Sequence, residues 1–114
     1  MKNEFRPIMV GMIESVSGVK NIKQILDCDL FDSILIGPYD LSTSVGKTGL
    51  LNCDEMKNMI KEITNACDQN NVAVGLHVVS VNKQDLNGVR AKGMRFNVYG
   101  MDTLVMAKCY SINE

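Results

Sequence analysis

No apolar run in this chain approaches the roughly 20 residues that a membrane span requires. Its opening, MKNEF, leads into no apolar stretch long enough for a signal peptide. A cytoplasmic protein with no membrane partner is the expectation. A charge imbalance is missing too: 12 Lys and Arg stand against 13 Asp and Glu, a net charge of −1, with both signs mixed along the chain. No basic stripe marks a nucleic-acid footprint, and an aromatic content of 5% leaves little for base stacking. Nucleic acid is therefore not an expected partner.

Paired cysteines are also lacking. Cys28, Cys53, Cys67 and Cys109 lie 14 or more residues apart and form no CxxC pair, which suits reduced thiols better than a disulfide framework or a zinc site. There is a single histidine, His77, so no histidine dyad can form within one chain. The GKT at 46–48 is not a phosphate loop, because that motif needs glycine at position 41, where Leu41 stands.

What is present is the rhythm of an α/β domain. At 114 residues, 46% apolar and 22% charged, residues 1–114 make one domain at most. Strand candidates are Ile8–Ile13, Ser33–Ile36, Val72–His77 and Arg95–Tyr99. The first three are near-continuous apolar runs, as expected of strands buried on both faces of a parallel sheet. Between them, Val19, Ile22, Ile25 and Leu26 form one helical stripe. Met56, Met59, Ile60, Ile63 and Cys67 form a longer one, with Asp54 as its N-cap and its methionines as core filling. Leu86 and Val89 mark a shorter helix opened by Ser80 and closed by Gly93, and Leu104, Val105 and Lys108 belong to a last one. The Ser-, Thr- and Gly-rich 41–52 segment reads as an enlarged loop. Strict alternation predicts consecutive βα units on a parallel sheet with right-handed crossovers. A TIM barrel spends about 31 residues per unit, so four units make half a barrel.

Two carboxylates, Glu14 and Asp40, each follow a strand candidate and lie 26 residues apart, about one strand–helix repeat. On neighbouring parallel strands both reach the C-terminal edge of the sheet, where α/β folds place their chemistry. Two oxygen donors at adjacent strand ends form the protein half of a site for a hard divalent cation such as Mg²⁺ or Mn²⁺. Spacing alone equally allows acids that cap helices or sit in solvent.

From Pro7 to Lys108 the chain resembles the C-terminal half of the HpcH/HpaI aldolase family. The resemblance rests on MIES at 12–15, GVKNIKQIL at 18–26, FDSILIGPYDLSTSVGKTG at 31–49, the helix around Ile60 to Cys67, VAVGLHVVS at 72–80 and FNVYGMDTLVMAK at 96–108. It implies a metal-dependent lyase that cleaves or forms 4-hydroxy-2-oxo acids through a metal-stabilised pyruvate enolate. Glu14 and Asp40 would be its metal ligands, and the turn Gly37, Pro38, Tyr39, Asp40 would hold the pyruvate carboxylate on the backbone N–H groups of Tyr39 and Asp40. Gly37 permits close approach, and Pro38 stiffens the turn while lacking an N–H of its own.

The departures bear on competence. The family's arginine that steadies the enolate and its histidine-based dyad come from strands outside the resemblance, and Met12 stands where many relatives carry glutamine. Arg6 and Arg95 precede their strands and should lie at the opposite edge; Arg90 is the third arginine. His77 ends the third strand at the active edge, either as a weak catalytic candidate or as an imidazole satisfied by loop backbone. Ser42 and Ser44 read as helix-start hydroxyls, with a contact to Asp40 as the alternative. The rival to a lyase is a non-catalytic or split half-barrel. Its open edges and uncovered inner face need a second copy or a complementary N-terminal half.

Overall fold

The computed structural model describes residues 5–110. The chain runs β1 (Val10–Ile13), α1 (Val16–Lys20), α2 (Ile22–Asp27), β2 (Ser33–Ile36), α3 (Pro38–Ser44), α4 (Asp54–Gln69), β3 (Ala73–Val78), α5 (Lys83–Ala91), β4 (Val98–Tyr99) and α6 (Asp102–Tyr110). The strands lie in the order β1-β2-β3-β4, every pair parallel. This is the expected fold: four consecutive βα units on one sheet, the half-barrel arrangement.

One face of the sheet is covered. Ile13, Ile34, Ile36 and Val74 pack against Val19, Ile22 and Leu26 from the first two helices and Met56, Ile63, Ala66 and Cys67 from α4. The α4 residues recur at helical spacing, so one stripe of that helix meets the sheet. Burial pushes the Cys67 thiol up to about 11. The alternate residues Val10 and Met12 of β1, and Val98 of β4, face the other side and are exposed. The molecule is a slab of 56 × 42 × 23 Å with a radius of gyration of 16.0 Å, against about 13 Å for a compact globule of this length.

Element bounds depart from the sequence pattern for local reasons. β1 starts at Val10, not Ile8, because the Met9 N–H is taken by the Asp32 carboxylate at 2.8 Å. β3 is shifted by one residue from Val72–His77. β4 is only Val98–Tyr99 rather than Arg95–Tyr99: the Arg95 and Phe96 N–H groups both donate to the Val74 carbonyl, and the Asn97 side chain accepts from the Leu76 N–H. Two residues opposing one disrupts the ladder as a bulge does. The first helical stripe is broken at Asn21 into α1 and α2. The 41–52 segment begins inside a helix, α3, and only its second part is loop. Cys53, not Asp54, is the N-cap of α4. Asn82, not Ser80, caps α5, accepting from the Gln84 N–H at 2.9 Å, while the Ser80 hydroxyl donates to Asp85.

Candidate functional site

Parallel pairing of β1 with β2 determines where the acids stand. Ile13 is opposite Ile36, and the Gly37 N–H donates to the Ile13 carbonyl at 3.0 Å. Glu14 therefore leaves the sheet beside Gly37, at the C-terminal edge. A Cβ on Gly37 would meet the Glu14 Cβ at 3.2 Å and its Oε2 at 3.4 Å. The missing side chain of Gly37 is thus the space beside the Glu14 carboxylate.

Gly37 is also the N-cap of α3, and Pro38 occupies its first turn. The Leu41 N–H donates to the Gly37 carbonyl at 3.0 Å. Pro38 has no N–H, and the amides of Tyr39 and Asp40 precede the first intrahelical bond, so both remain donors without an intrahelical acceptor. Asp40, in the first turn of α3, carries a side chain that leans toward the helix N-terminus. Both Glu14 and Asp40 are exposed. Among the described residues neither carboxylate has a hydrogen-bond or ion-pair partner; the ion pairs are Arg6–Asp32, Lys47–Glu55 and Lys57–Asp54. The oxygen donors are unspent.

That donor set fits a hard divalent cation held by two carboxylates, with water and substrate completing the shell. Among the described residues no three His, Cys, Asp or Glu side chains gather around one point. Met12 borders the same place, its Sδ 3.8 Å from where a Gly37 Cβ would be. It offers an apolar wall.

Other candidates take different positions. His77 is half-buried, with Nε2 3.3 Å from the Gly100 carbonyl oxygen. That contact lets the loop backbone satisfy one ring nitrogen. Ser42 is fully buried, donating to the Tyr39 carbonyl at 2.6 Å and accepting from the Gly49 N–H at 2.9 Å. It holds the 46–49 turn against the start of α3, and neither it nor Ser44 bonds the Asp40 carboxylate. Both lie in the second half of α3, not at its start. Arg6 pairs with Asp32 at 2.8 Å at the far edge of the sheet. A groove of about 940 Å³ lies between α4 and α5 over β3, lined in part by Leu76, Val78, Ile60, Val89 and Met94. Neither Glu14 nor Asp40 lines it, but Pro38 of the substrate turn and His77 do, so it borders the carboxylate site.

The family model described as HpcH/HpaI aldolase/citrate lyase matches residues 2–109. A 4-hydroxy-2-oxo-heptane-1,7-dioate aldolase from Klebsiella pneumoniae subsp. pneumoniae is 32% identical over 96 residues, covering 84% of this chain and 36% of that protein. The chain thus spans little more than a third of the length of that curated relative. The crystal structure of an HpcH/HpaI aldolase/citrate lyase family protein from Burkholderia cenocepacia J2315 superposes with a TM-score of 0.83 at 22% identity, over 90% of this chain and 39% of that one. A citrate lyase beta subunit from M. tuberculosis, complexed with oxaloacetate and magnesium, superposes with a TM-score of 0.67 at 17% identity, over 91% and 52%.

Proposed function

The chain belongs to the HpcH/HpaI aldolase/citrate lyase family, and on that premise we propose that it is a carbon–carbon lyase module of the pyruvate-aldolase type. Its substrates are 4-hydroxy-2-oxo acids, cleaved or formed in an intracellular compartment that keeps its thiols reduced. The observation that carries this reading is the meeting of the Glu14 carboxylate with the Gly37–Asp40 turn at one sheet edge, both acids without a partner among the described residues. The magnesium held by the M. tuberculosis citrate lyase subunit supports a divalent cation for the same fold.

Glu14 and Asp40 hold Mg²⁺ or Mn²⁺. When bound, that ion supplies a Lewis acid for the oxygens of a 2-oxo acid as negative charge develops, a contribution of several kcal/mol. The Tyr39 and Asp40 N–H groups orient the substrate carboxylate, Gly37 keeps the approach open, and Met12 excludes water from one side. His77 is the one imidazole at this edge and the candidate for moving a proton. The chain brings no arginine to this edge, so the cation that shares the enolate charge comes from elsewhere.

That need coincides with an unfinished surface. The Met9 and Ile13 carbonyls serve β2, so the alternate peptide groups of Val10 and Met12 face an open strand edge. We therefore propose that a complementary half-barrel or a second copy covers this edge and the inner face. A non-catalytic module awaiting such a partner is the second reading, and the same exposed face favours it. The deciding experiment is pyruvate release from a 4-hydroxy-2-oxo acid with Mn²⁺, for wild type, Glu14→Gln and Asp40→Asn, with and without four supplied N-terminal βα units. Slow release by the chain alone, increased by the added half and lost in both variants, is expected. No release in the completed assembly would leave the non-catalytic reading.

A further inference from the structure

We infer that Ser44 is a positioning residue for the two acids: its hydroxyl ties the turn carrying Glu14 to the helix carrying Asp40. The inference rests on the metal-binding reading above. Ser44 Oγ accepts from the Val16 N–H at 3.1 Å and donates to the Leu41 carbonyl at 2.8 Å. Val16 is the first residue of α1, whose own N-cap, Ser15, is engaged with the Gly18 N–H at 3.2 Å. A first-turn amide has no intrahelical acceptor, and here the acceptor comes from another element.

Ser44 is four residues beyond Asp40 and therefore on the same face of α3. The face that bears Asp40 abuts the turn that bears Glu14. A second tie closes the figure, because the Gly37 N–H bonds the Ile13 carbonyl at 3.0 Å. Glu14 lies between Ile13 and Val16, and Asp40 lies between Gly37 and Ser44. The two cross-links thus enclose both acids in one ring of backbone. Of the two, only the Ser44 link is made by a side chain, so it is the one a substitution can cut. The O–H is spent on the Leu41 carbonyl and one lone pair on the Val16 N–H, so the hydroxyl's role is structural.

The test is Mn²⁺ titration by calorimetry on the chain, with Ser44→Ala, Ser44→Thr and Glu14→Gln, alongside thermal unfolding and hydrogen exchange at the Val16 amide. Ser44→Ala should weaken Mn²⁺ binding about three- to tenfold, the worth of one hydrogen bond, and speed Val16 exchange. Ser44→Thr keeps the hydroxyl and should restore both. A Ser44→Ala chain that is less stable but binds Mn²⁺ like wild type, while Glu14→Gln binds none, overturns the positioning role and leaves the metal reading intact. Unchanged binding in Glu14→Gln overturns both.

Discussion

The central strands β2 and β3 with α4 and the last βα unit are built from similar apolar residues, yet only the former are well packed. All four residues of β2 are buried, and α4 buries Met56, Ile63, Ala66 and Cys67. β4 is two residues long with both exposed, and neither α5 nor α6 buries a side chain. Leu104, Val105 and Met106 of α6 are left in solvent. The difference lies in neighbours, not in composition. β2 has a strand on each side, whereas β4 has one. A parallel strand and its helix bury each other only when the next unit is in place. The last unit is the one that lacks a following unit among the described residues.

The sharpest way to break this comparison is to truncate one apolar side chain in each region. Ile36→Ala, at 0% exposure, should cost about 2–5 kcal/mol through lost transfer energy and a cavity. Leu104→Ala, 39% exposed, should stay within about 0.5 kcal/mol. Urea unfolding of both variants checks this, and equal costs would mean that α6 is packed in solution.

The boundary between the regions can be probed at Gly75. A Cβ there would fall 1.2 Å from the Phe96 carbonyl oxygen, on backbone that no rotamer change can move. Gly75→Ala should displace the 95–97 segment, with an overpacking cost of about 1–3 kcal/mol. Hydrogen exchange should show β4 and α6 losing protection while β1 and β2 keep theirs. Uniform loss across all strands would make the two regions one cooperative unit.

The smallest effect concerns Asp32 at the opposite edge. The Met9 N–H, and then the Arg6 guanidinium, hold its carboxyl below the usual 3.8. A depressed carboxylate stabilises the fold above its unfolded value, and that stabilisation is lost as pH falls through the folded one. Amide exchange at Met9 should therefore quicken only below about pH 4, with β4 unaffected. Quickening near neutrality would rule out Asp32 as the cause.

Much of this was legible in the chain. Near-continuous apolar runs announced β1, β2 and β3, with β1 read two residues too long and β3 one residue early, and the helical stripe of Met56, Met59, Ile60, Ile63 and Cys67 matched what α4 presents to the sheet. The edge on which Glu14 and Asp40 stand followed from their place after strands in a parallel order. The short β4 was not legible, because a bulge at 95–97 depends on carbonyls of β3. Nor was α3, since a Ser- and Thr-rich segment reads as loop until its hydroxyls find partners. Ser42 and Ser44 were visible as residues but not as ties, for their acceptors and donors lie at Tyr39, Gly49, Leu41 and Val16.

The sequence by itself determined the α/β class, the parallel order and the side of the sheet on which the two acids stand. Each follows from periodicity and strand–helix alternation, which are properties of neighbouring residues along one chain. Only the tertiary structure decided that Glu14 rests in the space left by Gly37, that Ser44 serves the Val16 amide, and that Val10, Met12 and Val98 are left exposed on the second face of the sheet. Those depend on which groups of distant segments come within 3 to 4 Å. Register and packing set such contacts, and no local pattern encodes them.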